Sequence, residues 1–174
     1  LMNAWFESVS GYTTTGSTIL TDIEALPKSL LFWRSSTHFI GGLGIIVFLM
    51  MIIPDTSPSK LKLAHLELSS LSKEGYRYKS GKTSRVMLTV YLGLTLTETL
   101  CLWAAGMSLF DAVNHAFSTV ATGGFSTRNT SIMHYASPLI DIIITIFMAL
   151  SAMHFGAIFA ILAKRTLKPV TSGV

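Results

Sequence analysis

The sequence predicts an all-α membrane protein assembled from repeated units. Three observations carry that expectation: long apolar stretches, a two-sided partition of the basic residues, and a short helix with a glycine loop that occurs twice. Half of the 174 residues are hydrophobic and only 13% are charged, and the mean hydropathy is +0.55, which is too apolar for an ordinary soluble domain of this size. Three stretches, 32–53, 86–107 and 139–162, are long and predominantly apolar. As helix, at about 1.5 Å per residue, each is long enough for a hydrocarbon core of about 30 Å. A soluble protein with a large helical core is the competing reading, but soluble helices rarely stay apolar on every face for so long.

The formal net charge of +4 and isoelectric point near 9.3 do not describe a nucleic-acid patch, because the basic residues are divided by the apolar stretches. Lys60, Lys62, Lys73, Arg77, Lys79, Lys82 and Arg85 lie between the first two, and Lys164, Arg165 and Lys168 follow the third. Ten of the thirteen Lys and Arg therefore fall on one side of an alternating topology, which the positive-inside rule makes cytoplasmic. Lys28, Arg34 and Arg128 belong to the other side. Cys101 is the single cysteine and sits in a span, so no disulfide framework is expected and a small packing role is. The first residues carry no signal-peptide pattern, and the chain reads as an excerpt of a longer polypeptide.

Between the second and third stretches, residues 111–118 read as a short helix with Asp111 as N-cap, followed by Ala121-Thr122-Gly123-Gly124-Phe125. The start of the chain repeats this: 3–12 reads as helix and Thr13-Thr14-Thr15-Gly16-Ser17 as its loop. Setting Gly16 on Gly124 also sets Asn3 on Asp111, Ala4 on Ala112, Ser10 on Ser118 and Thr14 on Thr122. The unit is then outer span, short helix, glycine loop and inner span, the first unit lacking its leading span. Residues 54–85 become a cytoplasmic linker, in which Leu61, Leu63, Leu66, Leu68 and Leu71 suggest an amphipathic helix and Ser80-Gly81-Lys82 a turn. Residues 164–174 become a cytoplasmic tail or linker.

Non-helical backbone at membrane depth is tolerated only when it is buried in protein or lines an aqueous cavity, so two re-entrant loops point to a pore. Gly16, Gly123 and Gly124 allow the backbone angles that turn successive carbonyls toward one axis, and Thr14, Thr15 and Thr122 add hydroxyls. Each short helix aims its partially negative end at its loop. Neither loop contains an acidic residue, and neutral carbonyls suit potassium better than calcium.

The runs Phe6-Glu7-Ser8-Val9-Ser10-Gly11-Tyr12-Thr13-Thr14-Thr15-Gly16-Ser17, Phe32-Trp33-Arg34 with Gly41-Gly42-Leu43-Gly44-Ile45-Ile46-Val47, and His115 through Thr127 around Thr122-Gly123-Gly124-Phe125 resemble the Trk/Ktr/HKT potassium transporter superfamily, most closely its TrkH branch. The resemblance covers nearly the whole chain. It implies a potassium-channel-like fold in which four modules surround one pathway, two of them here: 1–53 (pore helix 3–12, filter 13–18, inner span 32–53) and 86–163 (span 86–107, pore helix 111–120, filter 121–126, span 139–162). It further implies that Thr14, Thr15, Gly16, Ser17, Thr122, Gly123, Gly124 and Phe125 form the filter, with carbonyls beside Gly16 and Gly124 facing the ion. A homodimer in the bacterial inner membrane, contacting lipid and a cytosolic nucleotide-binding regulatory subunit, is implied as well. No third or fourth loop is found in this chain.

Outside the loops, Glu98 is a lone acid midway through the second span, where a charge costs about 2.5 to 3.5 kcal/mol on insertion scales. It reads either as a scaffold carboxyl bonded to neighbouring helices or as a coupling site. His38 and His154 read as packing residues, and Arg128 and Asp141 as outer-face charges that pair or shape the mouth. Gly41, Gly42 and Gly44 suggest close helix approach. The alternative function is a proton-coupled carrier using Glu98, but both loops enter from the same side, unlike inverted carrier repeats. No catalytic constellation, organic cofactor, structural zinc or nucleic-acid partner is expected.

Overall fold

The structure, a computed structural model, describes residues 2–52 and 80–153. Every regular element among them is helical: α1 Met2–Tyr12, α2 Lys28–Ile52, α3 Ser80–Ala104, α4 Leu109–Val120, a 3-10 turn Ser131–Tyr135, and α5 Pro138–Ala152. One compact unit comprises Leu1–Gly44 and Tyr91–Ala152 and holds both glycine loops; the other comprises Ile45–Val90 and Met153–Val174. Within the second unit the described residues are the ends of α2 and α3 that fall there and Met153, which follows α5. The amphipathic leucines from Leu61 to Leu71, the linker to residue 79, His154, the end of the third span and the basic tail lie outside the described residues.

Local chemistry accounts for the helix boundaries. Pro27 fixes the chain ahead of α2, and its carbonyl accepts the Leu30 and Leu31 amides at 2.9 and 3.2 Å. Pro138 opens α5 at the position where a missing N–H is harmless. At its other end α3 stops at Ala104 through a Schellman motif: the Met107 amide reaches the Leu102 carbonyl at 3.1 Å and the Gly106 amide the Trp103 carbonyl at 3.0 Å. Gly106 takes the left-handed angle, φ 99°, that this motif demands. Leu102 and Met107, the apolar pair that usually accompanies it, sit in one buried cluster with Ala112, Ile140 and Ile144.

At the starts of α3 and α4 the structure differs from the sequence expectation. Ser80-Gly81-Lys82 is the first part of α3 rather than a turn, since one glycine near the end of a long helix lowers its stability without breaking it. The N-cap of α4 is Ser108 rather than Asp111; the Ser108 hydroxyl accepts the Asp111 amide at 3.1 Å and donates to the Asp111 carboxylate at 2.9 Å. Both are good capping residues. Ser108 takes the cap because the helix starts ahead of Asp111, and the acid then lies in the first turn, where the helix dipole favours it.

Packing of the first unit centres on α2. Phe39 stacks on Phe117 of α4 with centroids 4.5 Å apart and meets Tyr91 of α3 at 5.0 Å, while the Tyr91 hydroxyl donates to the Phe39 carbonyl at 3.0 Å. A side chain at Gly41 would enter the backbone of Tyr12, and one at Gly42 would press on Tyr91 and Ala121, whereas Gly44 faces open space. Close approach is thus needed at two of the three glycines. On α3, Leu92, Leu96, Leu100 and Trp103 form an exposed apolar stripe of the kind that a soluble monomer rarely leaves bare. Among the described residues one helix, through Met87–Ala104, is long and apolar enough to cross a membrane, and Pro138–Ala152 is a shorter apolar helix.

Candidate functional site

The two glycine loops have the same backbone. After α1, the Thr14 amide bonds the Gly11 carbonyl at 3.0 Å and the Thr15 amide the Ser10 carbonyl at 3.0 Å. After α4, at the equivalent positions of the repeat, Thr122 bonds Thr119 at 2.9 Å and Gly123 bonds Ser118 at 2.8 Å in the same pattern. Each is a Schellman closure, but the left-handed position is filled by a threonine, at φ 54° in Thr14 and 57° in Thr122. A β-branched residue there is strained by about 1 to 3 kcal/mol and persists only where its surroundings over-determine it. Two positions further on, Gly16 and Gly124 are again left-handed, at φ 75° and 87°. The loops meet: a Cβ on Gly16 would collide with the Gly123 carbonyl.

The other loop residues are held individually. Thr13 and Thr15 share a hydroxyl contact of 2.8 Å. The Ser17 carbonyl accepts the Ser10 hydroxyl at 2.6 Å, which engages one of its lone pairs within the protein. Gly123 is buried against His38, whose imidazole occupies the space a Cβ would need. That ring also stacks on Phe125 at 3.9 Å and contacts the Ser118 hydroxyl through Nδ1 at 3.2 Å, in keeping with its packing role. Thr122 and Gly124 are exposed. A cavity of about 430 Å³ opens beside them, lined by His115, Ser118 and the loop on one wall and by Ile144 and Met148 of α5 on another.

Residues that sequence reasoning did not select hold the exits of both loops. Glu7 accepts the Thr18 hydroxyl at 2.6 Å and the Ile19 amide at 2.8 Å through one oxygen, and binds Arg34 at 3.0 Å through the other. Arg34, buried in α2, also donates to the Ser126 carbonyl at 3.2 Å and lies 3.6 Å over the Phe125 ring. The available signal was a glutamate, the one charged residue of a short helix, and an arginine at the head of a span. Their separation along the chain concealed the pairing.

Asp111 and Arg128, expected near the outer face, belong to one network. The Asp111 carboxylate accepts from Thr127 at 2.6 Å and from Arg128 at 3.1 Å, and Arg128 also reaches Glu24 at 3.7 Å. Arg128 is therefore paired with Asp111 and Glu24 and not with Asp141, which is exposed. His115 donates from Nδ1 to the Asp111 carbonyl at 2.8 Å, so its Nε2 accepts from the Ser126 hydroxyl at 3.0 Å. The Ser126 oxygen in turn accepts the Arg128 amide at 3.0 Å.

Acid should loosen this segment. Burial holds His115 below the ordinary imidazole value of 6.5, against the opposing pull of the Asp111 carbonyl. Burial works against ionisation of Asp111, but Thr127, Ser108 and Arg128 outweigh it and keep the carboxyl below its ordinary 3.8. Both groups bind fewer protons folded than unfolded, so their stabilisation is present above the unfolded values and is lost as pH falls. The loss begins near 6.5 through His115 and continues below 3.8 through Asp111. Amide exchange across residues 108–136 should accelerate between roughly pH 7.5 and 5 after correction for the intrinsic rate. Unchanged protection over that range would contradict the assignment.

Glu98 is fully buried. Thr119 of α4 is its neighbouring hydroxyl, yet neither carboxylate oxygen makes a hydrogen bond of sound geometry among the described residues. Cys101 is free and half-buried.

The all-helical frame thus carries two helix-to-loop closures of one kind, and sequence comparison gives the class and the family. The chain belongs to the TrkH family, described as cation transport protein, which it matches over residues 1–172. It is similar to the Trk system potassium uptake protein TrkH of Salmonella typhimurium, 40% identical over 169 residues covering 97% of this chain and 35% of that protein. It is also similar to the Trk system potassium uptake protein TrkG of Escherichia coli, 37% identical over 170 residues with the same coverage of 97% and 35%. The crystal structure of the potassium transporter TrkH from Vibrio parahaemolyticus superposes with a TM-score of 0.73 at 36% identity, over 93% of this chain and 31% of that one. The chain thus spans about a third of the length of the relatives it matches. The family is one of transporters and not of enzymes.

Proposed function

We propose that this chain contributes two pore modules to a multi-pass bacterial inner-membrane protein that conducts potassium through a carbonyl-lined filter. The observation that carries the reading is the recurrence of one strained loop backbone at Thr14-Thr15-Gly16 and Thr122-Gly123-Gly124, with the two copies in contact. Short helices end at both loops and direct partial negative charge toward them. Neutral carbonyls in a narrow passage replace the hydration shell of an alkali cation at comparable free energy. The names of the similar proteins support potassium as the ion transported. In this reading Thr14, Thr15, Gly16, Ser17, Thr122, Gly123, Gly124 and Phe125 form the two filter strands, and Asp111 and Arg128 brace the outer end of the second.

The family resemblance adds a homodimer, lipid contact and a cytosolic nucleotide-binding regulatory subunit as partners, with no organic cofactor. The test is ion uptake by the native assembly containing this chain, expressed in a host that depends on it for potassium. Gly124→Ser keeps the protein in the inner-membrane fraction and lowers the preference for potassium over sodium, because a side chain at φ 87° strains the carbonyl-presenting backbone. Native selectivity and rate in that variant would remove the second loop from the filter.

A further inference from the structure

We propose that Glu7 and Arg34 form a specificity-determining brace that sets the separation of the two filter strands at their outer ends. The inference rests on the filter reading above and assigns positioning roles to two residues outside the loops. Glu7 belongs to the helix of the first unit and grips the exit of the first loop, through the Thr18 hydroxyl and the Ile19 amide at 2.6 and 2.8 Å. Arg34 grips the exit of the second, through the Ser126 carbonyl at 3.2 Å and the Phe125 ring at 3.6 Å. Their 3.0 Å ion pair joins the two grips, and the side chains are only 8% and 15% exposed for Arg34 and Glu7.

The equivalences between the repeats sharpen the assignment. With Gly16 set on Gly124, Glu7 corresponds to His115 and Thr18 to Ser126, and in both units the helix residue bonds the hydroxyl just past the filter glycine. That part of the arrangement is common to both repeats and holds each loop to its own helix. The Arg34 contacts are additional, since they run from the inner span of the first unit to the second loop. Arg34 presents a planar fork with several donors, one to the carboxylate and one to the carbonyl, and stacks its face on an aromatic ring. Lysine reproduces none of these together. A change of strand separation acts on discrimination between ions of different radius, because the distance between opposing carbonyls is what a smaller ion fails to match.

Arg34→Gln, Glu7→Gln and the double variant separate the brace from a merely structural ion pair. Glutamine at 7 still accepts from Thr18 and Ile19 but no longer ties down the guanidinium. Arg34→Gln should lower the potassium-to-sodium uptake ratio roughly tenfold, equivalent to about 1.4 kcal/mol of lost discrimination, with Glu7→Gln changing it in the same direction by less. Each single variant leaves a buried charge unpaired and should reduce membrane abundance, whereas the double variant leaves none and should recover it. Selectivity is the deciding measurement in the double variant. A ratio that stays low at native abundance supports the brace, and a native ratio overturns it. Gly124→Ser run in parallel distinguishes the two levels: if it lowers the ratio while the well-expressed double variant does not, the brace fails and the filter reading stands. If it has no effect, the filter reading fails and takes the brace with it.

Discussion

Gly16→Ser should abolish potassium uptake, and it should do so more completely than Gly124→Ser. Both glycines hold left-handed angles, φ 75° and 87°, so any side chain at either site carries about 1 to 3 kcal/mol of backbone strain. Only Gly16 carries a second penalty. Its Cβ would enter the carbonyl of Gly123 in the opposite loop, while the same atom on Gly124 meets nothing within 4 Å. The Gly123 carbonyl cannot withdraw easily, because the Gly123 amide is fixed to Ser118 at 2.8 Å and its Cα is backed by the His38 ring. The first loop must therefore move away from the second, or the second must lose its Schellman closure. Gly16→Ala tests the argument with the smallest side chain, and its loss should approach that of serine, because the collision is at Cβ. Uptake at matched membrane abundance is the measurement, with roughly 100-fold loss expected at Gly16 from misplacement on the scale of about 1 Å and a partial loss at Gly124. Equal and mild effects at both positions would mean that the loops do not approach as described.

The loops were legible in the sequence because their chemistry is local. A cap, a short amphipathic helix and a threonine-glycine run announce themselves in one short segment, and the second copy supplied a check. What escaped was of two kinds. Helix termini depended on a choice between neighbouring residues of similar capping power, as with Ser108 and Asp111, or on a motif that an apolar stretch runs through, as where the second span was carried past Gly106 to residue 107. Ala105-Gly106-Met107 carries the Schellman signal that ends α3, with Met107 placed to pack on Leu102. The rest required tertiary contact. Arg34 and Phe125 are far apart in the sequence and meet only in the folded chain. Arg128 likewise pairs with Asp111 and Glu24 in place of Asp141, the residue the sequence set beside it on the outer face. Periodicity and composition carry no information on such pairings.

Glu98 is the residue at which the structure changes what should be expected of a scaffold. A scaffold carboxyl satisfies donors around it, so that an apolar replacement would strand them at about 1 to 3 kcal/mol each. No such donor is bonded to either oxygen of Glu98 among the described residues, although the side chain is fully buried with Thr119 beside it. A buried polar group without partners opposes folding, and replacing it by an apolar group of similar size is neutral or stabilising. Glu98→Leu should accordingly raise the thermal stability of the membrane protein, by roughly 1 to 3 kcal/mol. A clear loss of stability would establish that the carboxyl has partners after all. Glu98→Gln then addresses transport, since it preserves size and an acceptor but cannot carry charge. With no relay partner at helical spacing in α3, and no hydrogen bond from Glu98 toward either loop among the described residues, the Gln variant should take up potassium at a near-native rate across external pH. A variant that is abundant, folded and inactive would instead make Glu98 a coupling site, and would turn the reading of this chain from a channel-like pathway toward a proton-coupled carrier.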